Sequence, residues 1–262
     1  MSFVRMRAVM RRHWIVLARS PHRWFEISFW PLMDVLLWGS LGAFVATQST
    51  ASRAGTPYLL AGIMMFWVFT QSQFAVALGV NEETWTRNIL NVLTTPVREV
   101  EYIGGLALFG VVKLALCMTT LTVATIFFFS FDLSQVGWAV IPIAGLLVLQ
   151  GWSLGVFVVG LILRFGQSAE ILIWGLNYVI LAFSGVFFPA EALPRGLAHA
   201  AALLPTTKAF AALRHVLAGG SLQWGTLAAS AAGTVAMFAL AVAFSTWQLR
   251  TFRRRGFVTR YS

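Results

Sequence analysis

The stretch Asn81–Glu101, NEETWTRNILNVLTTPVREVE, decides how this chain is arranged. It carries six of the chain's twenty-eight formal charges and lies between the apolar runs Tyr58–Val80 and Tyr102–Phe129. Each run exceeds the about 20 residues that a helix needs to cross hydrocarbon. A polar segment therefore joins two candidate membrane spans, and the question is which face it lies on and what it meets there.

Composition agrees with that reading. The chain has 262 residues, 58% hydrophobic and only 11% charged, which is more apolar surface than a soluble core of this length buries. The expected class is an all-α integral membrane protein. The net charge of +10 does not point to nucleic acid, because the arginines gather at the chain ends rather than across one folded face. One cysteine, Cys117, leaves no intrachain disulfide and no thiolate metal cluster. His13, His22, His199 and His215 lack zinc spacing, and no phosphate-binding G-x-x-x-x-G-K-[ST] occurs. Ser153 in G-W-S-L-G fits G-x-S-x-G formally, but it sits inside an apolar span, where small residues serve helix packing. The sequence assigns no catalytic residue, no metal and no cofactor to the chain itself.

Six spans follow from the hydropathy pattern: 27–46, 58–80, 102–129, 138–163, 169–188 and 224–249. Lys and Arg number fourteen in the N-terminal segment, the even connections and the tail, against four in the odd connections. The excess of positive charge puts both termini in the cytoplasm and the chain in the cell (inner) membrane. Residues 1–22 read as an interfacial helix: Phe3, Met6, Met10, Trp14 and Leu17 share one face, and Arg5, Arg12 and Arg19 lie opposite, toward anionic headgroups. A basic helix docked on a soluble partner is the other reading. Residues 189–218 are long for a plain loop and read as two short apolar helices dipping back from the outer face, either lining an exit or capping the bundle.

On this topology residues 81–97 form a cytoplasmic amphipathic helix. Asn81 would cap it, Glu82 and Glu83 would sit in its first turn, and Pro96 would stop it. Trp85, Ile89, Val92 and Leu93 would form its apolar stripe, suited to a soluble partner or to membrane lipid. Within the spans, Asp34 and Lys113 are costly enough to be functional suspects and are expected either to pair or to snorkel separately. Gln71, Gln73, Gln150 and Asn177 would line a pathway or bond neighbouring helices.

The order of these pieces resembles the type-2 ABC exporter permeases. The basic interfacial helix, two spans, a charged helix closing in L-T-T-P-V-R (Leu93–Arg98), and FFPAEALPRGLAHAAALLPTTKAFAALR (Phe187–Arg214) before the last span carry the resemblance. It implies that 81–97 is a coupling helix seated in a separate cytoplasmic ATPase, with Glu82, Glu83, Trp85, Arg87 and Asn88 making the contact. It implies that 189–218 is a re-entrant outer gate. Phe183, Phe187, Phe188, Pro189, Pro194 and Pro205 are the candidates for that gate or pathway, the phenylalanines being either exit-lining residues or lipid-facing anchors. The resemblance further implies two permeases, as a homodimer or close heterodimer, with two ATPases that bind MgATP. The cargo would be an amphipathic drug, lipid or lipid-linked glycan. A membrane assembly or sensor protein that docks a partner through the same helix is the alternative.

Overall fold

The computed structural model describes residues 2–48, 55–86 and 88–255, and every regular element among them is helical. In chain order they are α1 (Phe3–Ala18), α2 (Pro21–Gln48), α3 (Gly55–Trp85), α4 (Ile89–Thr94), α5 (Glu99–Phe129), α6 (Val140–Phe165), α7 (Glu170–Phe183), α8 (Arg195–Leu203), α9 (Pro205–Leu217) and α10 (Trp224–Arg255). Ser20 separates α1 from α2, and Pro21 opens α2 at the first helical position, where its missing N–H costs nothing.

Burial orders the bundle. The most apolar window of α3 is 94% buried, against 22% in α2, 28% in α5 and 22% in α10. α3 is thus the central helix, packed against α6, α5 and α2, and the outer helices turn apolar faces outward, as lipid contact requires. Close approach of α6 to α3 depends on Gly151 and Gly155. A Cβ on Gly151 would meet the Phe69 carbonyl oxygen, and one on Gly155 would stand 2.9 Å from the Gln73 carbonyl oxygen. Ser153, between them, is buried and donates to the Leu149 carbonyl at 2.7 Å. Its surroundings are those of a packing residue.

Among the described residues five helices, not six, are long and apolar enough to cross a membrane: Pro21–Thr47, Gly55–Trp85, Glu99–Phe129, Val136–Phe165 and Trp224–Phe252. The expected span 169–188 is helical only over Glu170–Phe183, about 21 Å at 1.5 Å per residue, short of a hydrocarbon core about 30 Å thick. The chain turns at Gly185, whose φ of 69° ends the helix. The turn is tied down on both sides: the Ser184 hydroxyl lies 2.5 Å from that of Thr206, and the Gly185 carbonyl accepts from Arg214.

The polar stretch after α3 also differs from its reading. Asn81 caps nothing; it is buried inside α3, which runs on to Trp85. The break comes after Trp85, where the Asn88 backbone N–H reaches the Glu83 carbonyl at 2.8 Å and the Asn88 amide reaches the Glu83 carboxylate at 2.6 Å. That doubled contact reverses the chain and leaves α4 only six residues long.

Candidate functional site

The α3–α5 connection is held from behind by α1. Arg12 Nη1 stands 2.7 Å from Glu83 Oε1, and Arg5 Nη1 stands 3.2 Å from Glu101 Oε2. Arg5 and Arg12 are seven residues apart, two helical turns, so they project from one face about 10 Å apart. Glu83 closes α3 and Glu101 lies in the first turn of α5. One helix face therefore bridges both flanks of the connection. The Ser2 backbone N–H adds a bond to Glu101 Oε1 at 2.7 Å, and the Arg98 N–H adds one to Glu101 Oε2 at 3.1 Å. A third pair, Arg23 with Glu82 at 3.0 Å, joins the start of α2 to the same end of α3.

This corrects the role of the α1 arginines. Arg5 and Arg12 face protein carboxylates rather than lipid headgroups alone. The hydrogen bond that Arg12 donates to Glu83 is the main cause that raises the Arg12 pKa. Beside it, His13 is 6% exposed and packs on Phe109 and Tyr102, with ring centroids 5.7 and 6.4 Å away. Its pKa is lowered first by burial and then by the Arg12 charge.

The residues assigned to an ATPase contact separate into two groups. Glu83 is 3% exposed, and its carboxylate accepts from Arg12, Asn88 and the Tyr102 hydroxyl, so it faces inward. Trp85 is 54% exposed, as are Asn91, Thr94, Thr95 and Pro96 by class. Glu82 is partly exposed but engaged with Arg23, and Asn88 is shared between Glu83 and Asn91. Arg87 lies outside the described residues.

A family model for the ABC-2 type transporter matches residues 5–218, from the first turn of α1 to the end of α9. The chain belongs to the ABC-2 type transporter family. It is the permease component, a multi-pass membrane subunit that is itself non-catalytic and whose family works with a partner ATPase. No curated protein matches the chain.

Inside the permease the buried amides mostly bridge helices. Thr70 donates to Asn177 Oδ1 at 3.3 Å, and Gln73 donates to the Ile173 carbonyl at 3.2 Å, fixing α7 to α3. Gln150 of α6 reaches Ser230 at 3.1 Å and Thr234 at 2.9 Å on α10. Asp34 and Lys113 are not brought together. Asp34 accepts from Trp67 Nε1 at 3.0 Å, and the three ion pairs among the described residues leave Lys113 out.

At the far end of the permease, Phe187 stacks on Trp38 of α2 with centroids 3.7 Å apart. Phe183 closes α7, and Phe188 is 39% exposed beside the exposed Pro189 and Pro194. Pro205 is different: it is buried at the first position of α9, and its carbonyl accepts from Ser230 at 2.8 Å. Its place is a packing contact between α9 and α10. Sequence reasoning missed Arg5, Arg12, Tyr102 and Glu101 as partners of the connection. The available signals were the seven-residue spacing of the two arginines and Glu101 three residues after Arg98, a capping-box position.

Proposed function

We propose that this permease is the membrane subunit of an ATP-driven exporter, and that the α3–α5 connection is its coupling element. The observation that carries the reading is the bracing of that connection. Ion pairs from α1 grip Glu83 and Glu101 on its two sides, and Trp85 and the outer face of α4 stay open. A partner pushing on the open face would move α3, the central helix, and α5 together with α1, because two ion pairs from α1 tie them into one unit. In this account Trp85 and Asn88, with Glu82 at the rim, meet the ATPase, and Glu83 anchors the element from within.

The proposed arrangement is two permeases with two ATPases, MgATP being bound and hydrolysed on the partner. Both termini lie in the cytoplasm of a cell with this permease in its inner membrane. The sixth crossing is made by α7 with its flanking turns, and α8–α9 form an outer hairpin whose aromatic residues Phe183, Phe187 and Phe188 border the exit. The cargo is an amphipathic drug, lipid or lipid-linked glycan.

Reconstitution with a cognate ABC ATPase subunit tests the reading. Trp85→Ala is expected to leave insertion and α1 docking intact, to weaken ATPase copurification at least tenfold, and to lower export in proportion. Unchanged copurification and export would overturn the coupling role.

A further inference from the structure

A cleft of about 250 Å³ opens between α1, α2, α3, α5 and α7, and it shares Glu82 and Trp85 with the face assigned to the ATPase. Its walls divide by chemistry. Trp30, Trp67, Trp85, Trp174, Phe74 and Phe109 give aromatic surface, and Trp30 and Trp174 are exposed at its rim on α2 and α7. Lys113, Glu26, Glu170 and the Arg23–Glu82 pair give charge.

Three observations call for a polar occupant. His13 Nε2 and Asn81 Oδ1 belong to side chains 6% and 3% exposed, both residues line the cleft, and neither atom has a hydrogen-bond partner. Native interiors rarely leave such atoms unpaired, and two among the residues lining one cleft mark a place where a polar group belongs. Lys113 is the third. A cation within a span is costly and is normally paired or facing a polar cavity, and this one lines the cleft without an ion pair among the described residues.

The signs of the charges select the occupant. Arg23 and Glu82 neutralise each other at 3.0 Å, which leaves, among the described lining residues, one cation, Lys113, and two carboxylates, Glu26 and Glu170. A purely anionic group would satisfy Lys113 and be repelled by the carboxylates; a purely cationic one would meet the reverse conflict. A molecule that carries a phosphate and an ammonium a few bonds apart satisfies both. Aromatic faces around the carboxylates suit the ammonium as well.

We propose that this cleft binds the head group of a zwitterionic phospholipid, its phosphate at Lys113 and its ammonium at Glu26 and Glu170. His13 and Asn81 bond the remaining polar atoms, and the acyl chains leave over the aromatic rim that α2 and α7 expose. A soluble zwitterion would have no use for that rim. Binding needs neither ATPase nor nucleotide, so it stands or falls separately from the transport reading.

The test uses the purified full chain in a neutral maltoside detergent, with the fluorescence of the lining tryptophans as the readout. Dihexanoyl-phosphatidylethanolamine, dihexanoyl-phosphatidylglycerol and free phosphoethanolamine are titrated in parallel. Phosphatidylethanolamine is expected to bind at least tenfold more tightly than either of the others. Lys113→Met is expected to weaken it at least tenfold, with Lys113→Arg staying within threefold of the parent. Glu26→Gln should weaken phosphatidylethanolamine and leave phosphatidylglycerol unchanged, and it decides the matter if Lys113→Met does not fold. Equal affinity for the two lipids, an unaffected Lys113→Met, an unaffected Glu26→Gln, or free phosphoethanolamine binding as tightly as the lipid would each overturn the assignment.

Discussion

Arg12 of the N-terminal helix and Glu83 of the central helix stand 2.7 Å apart, the guanidinium half exposed and the carboxylate buried. Removing the arginine leaves a buried carboxylate with only neutral donors, Asn88 and Tyr102. Because Arg12 is half in solvent, the loss is smaller than for a fully buried pair, and Arg12→Met is expected to cost about 1–2 kcal/mol. Thermal unfolding in detergent measures it. A double-mutant cycle with Glu83→Gln should return a coupling of about 1 kcal/mol; additive single effects would show that the contact holds nothing.

The α3–α6 seam gives a sharper contrast. A methyl group on Gly151 meets the Phe69 carbonyl oxygen, with Ser72 Cβ at 2.8 Å and the Gln73 nitrogen at 3.0 Å. Backbone on the central helix cannot yield as a side-chain tip can. Gly151→Ala is expected to lose about 1–3 kcal/mol through overpacking. Gly145, on the same helix, has nothing within 4 Å of its added methyl group, so Gly145→Ala should be neutral or gain a few tenths of a kcal/mol from helix propensity, up to about 1. Melting temperatures of the two variants that moved together would contradict this packing.

Those two predictions show what the sequence could and could not reveal. Five of the six expected spans were legible because hydrocarbon imposes a length and an apolar composition that survive in the primary structure. Gly151 and Gly155 take their packing role from the structure, where an added Cβ on either would meet the α3 backbone. The break in the polar stretch was not legible: Asn81 and Glu82–Glu83 match a helix start as well as they match the end of a long helix. Contacts of Glu83 with Arg12, Asn88 and Tyr102 decide between them. Nor does hydropathy register that α7 stops at Phe183, since Ser184–Phe188 stays apolar while its backbone turns at Gly185 to meet Arg214 and Thr206. Charge pairing failed for a related reason. Matching Asp34 with Lys113 by depth alone could not register Trp67, whose indole N–H donates to Asp34, while Lys113 enters none of the three ion pairs among the described residues.

The turn at Gly185 is itself open to test. Its carbonyl accepts from Arg214, and its φ of 69° belongs to the region where a side chain is strained. Gly185→Ala is expected to cost about 1–2 kcal/mol. Arg214→Met should leave the helices intact and loosen the segment between α7 and α8. Amide hydrogen exchange over residues 184–193 reads this directly, with protection expected to fall at least tenfold in Arg214→Met. Unchanged exchange would mean that the Ser184–Thr206 contact alone holds the turn.

His13 makes the structure sensitive to acid. Burial lowers its pKa below the ordinary 6.5, with Arg12 and Arg23 adding to the shift and Glu82 and Glu83 opposing it. The folded chain therefore binds this proton less readily than the unfolded chain, and protonation favours unfolding. The contribution to stability is complete above about pH 6.5 and is lost as pH falls from there toward the lower folded value, at no more than about 1.4 kcal/mol per pH unit for one group. His13→Phe keeps an aromatic ring against Phe109 and Tyr102 and removes the titration. Melting temperatures taken at pH 7.5, 6.5 and 5.5 should fall for the parent chain and stay nearly level for the variant. Parallel curves would assign the acid sensitivity to the carboxylates around it instead.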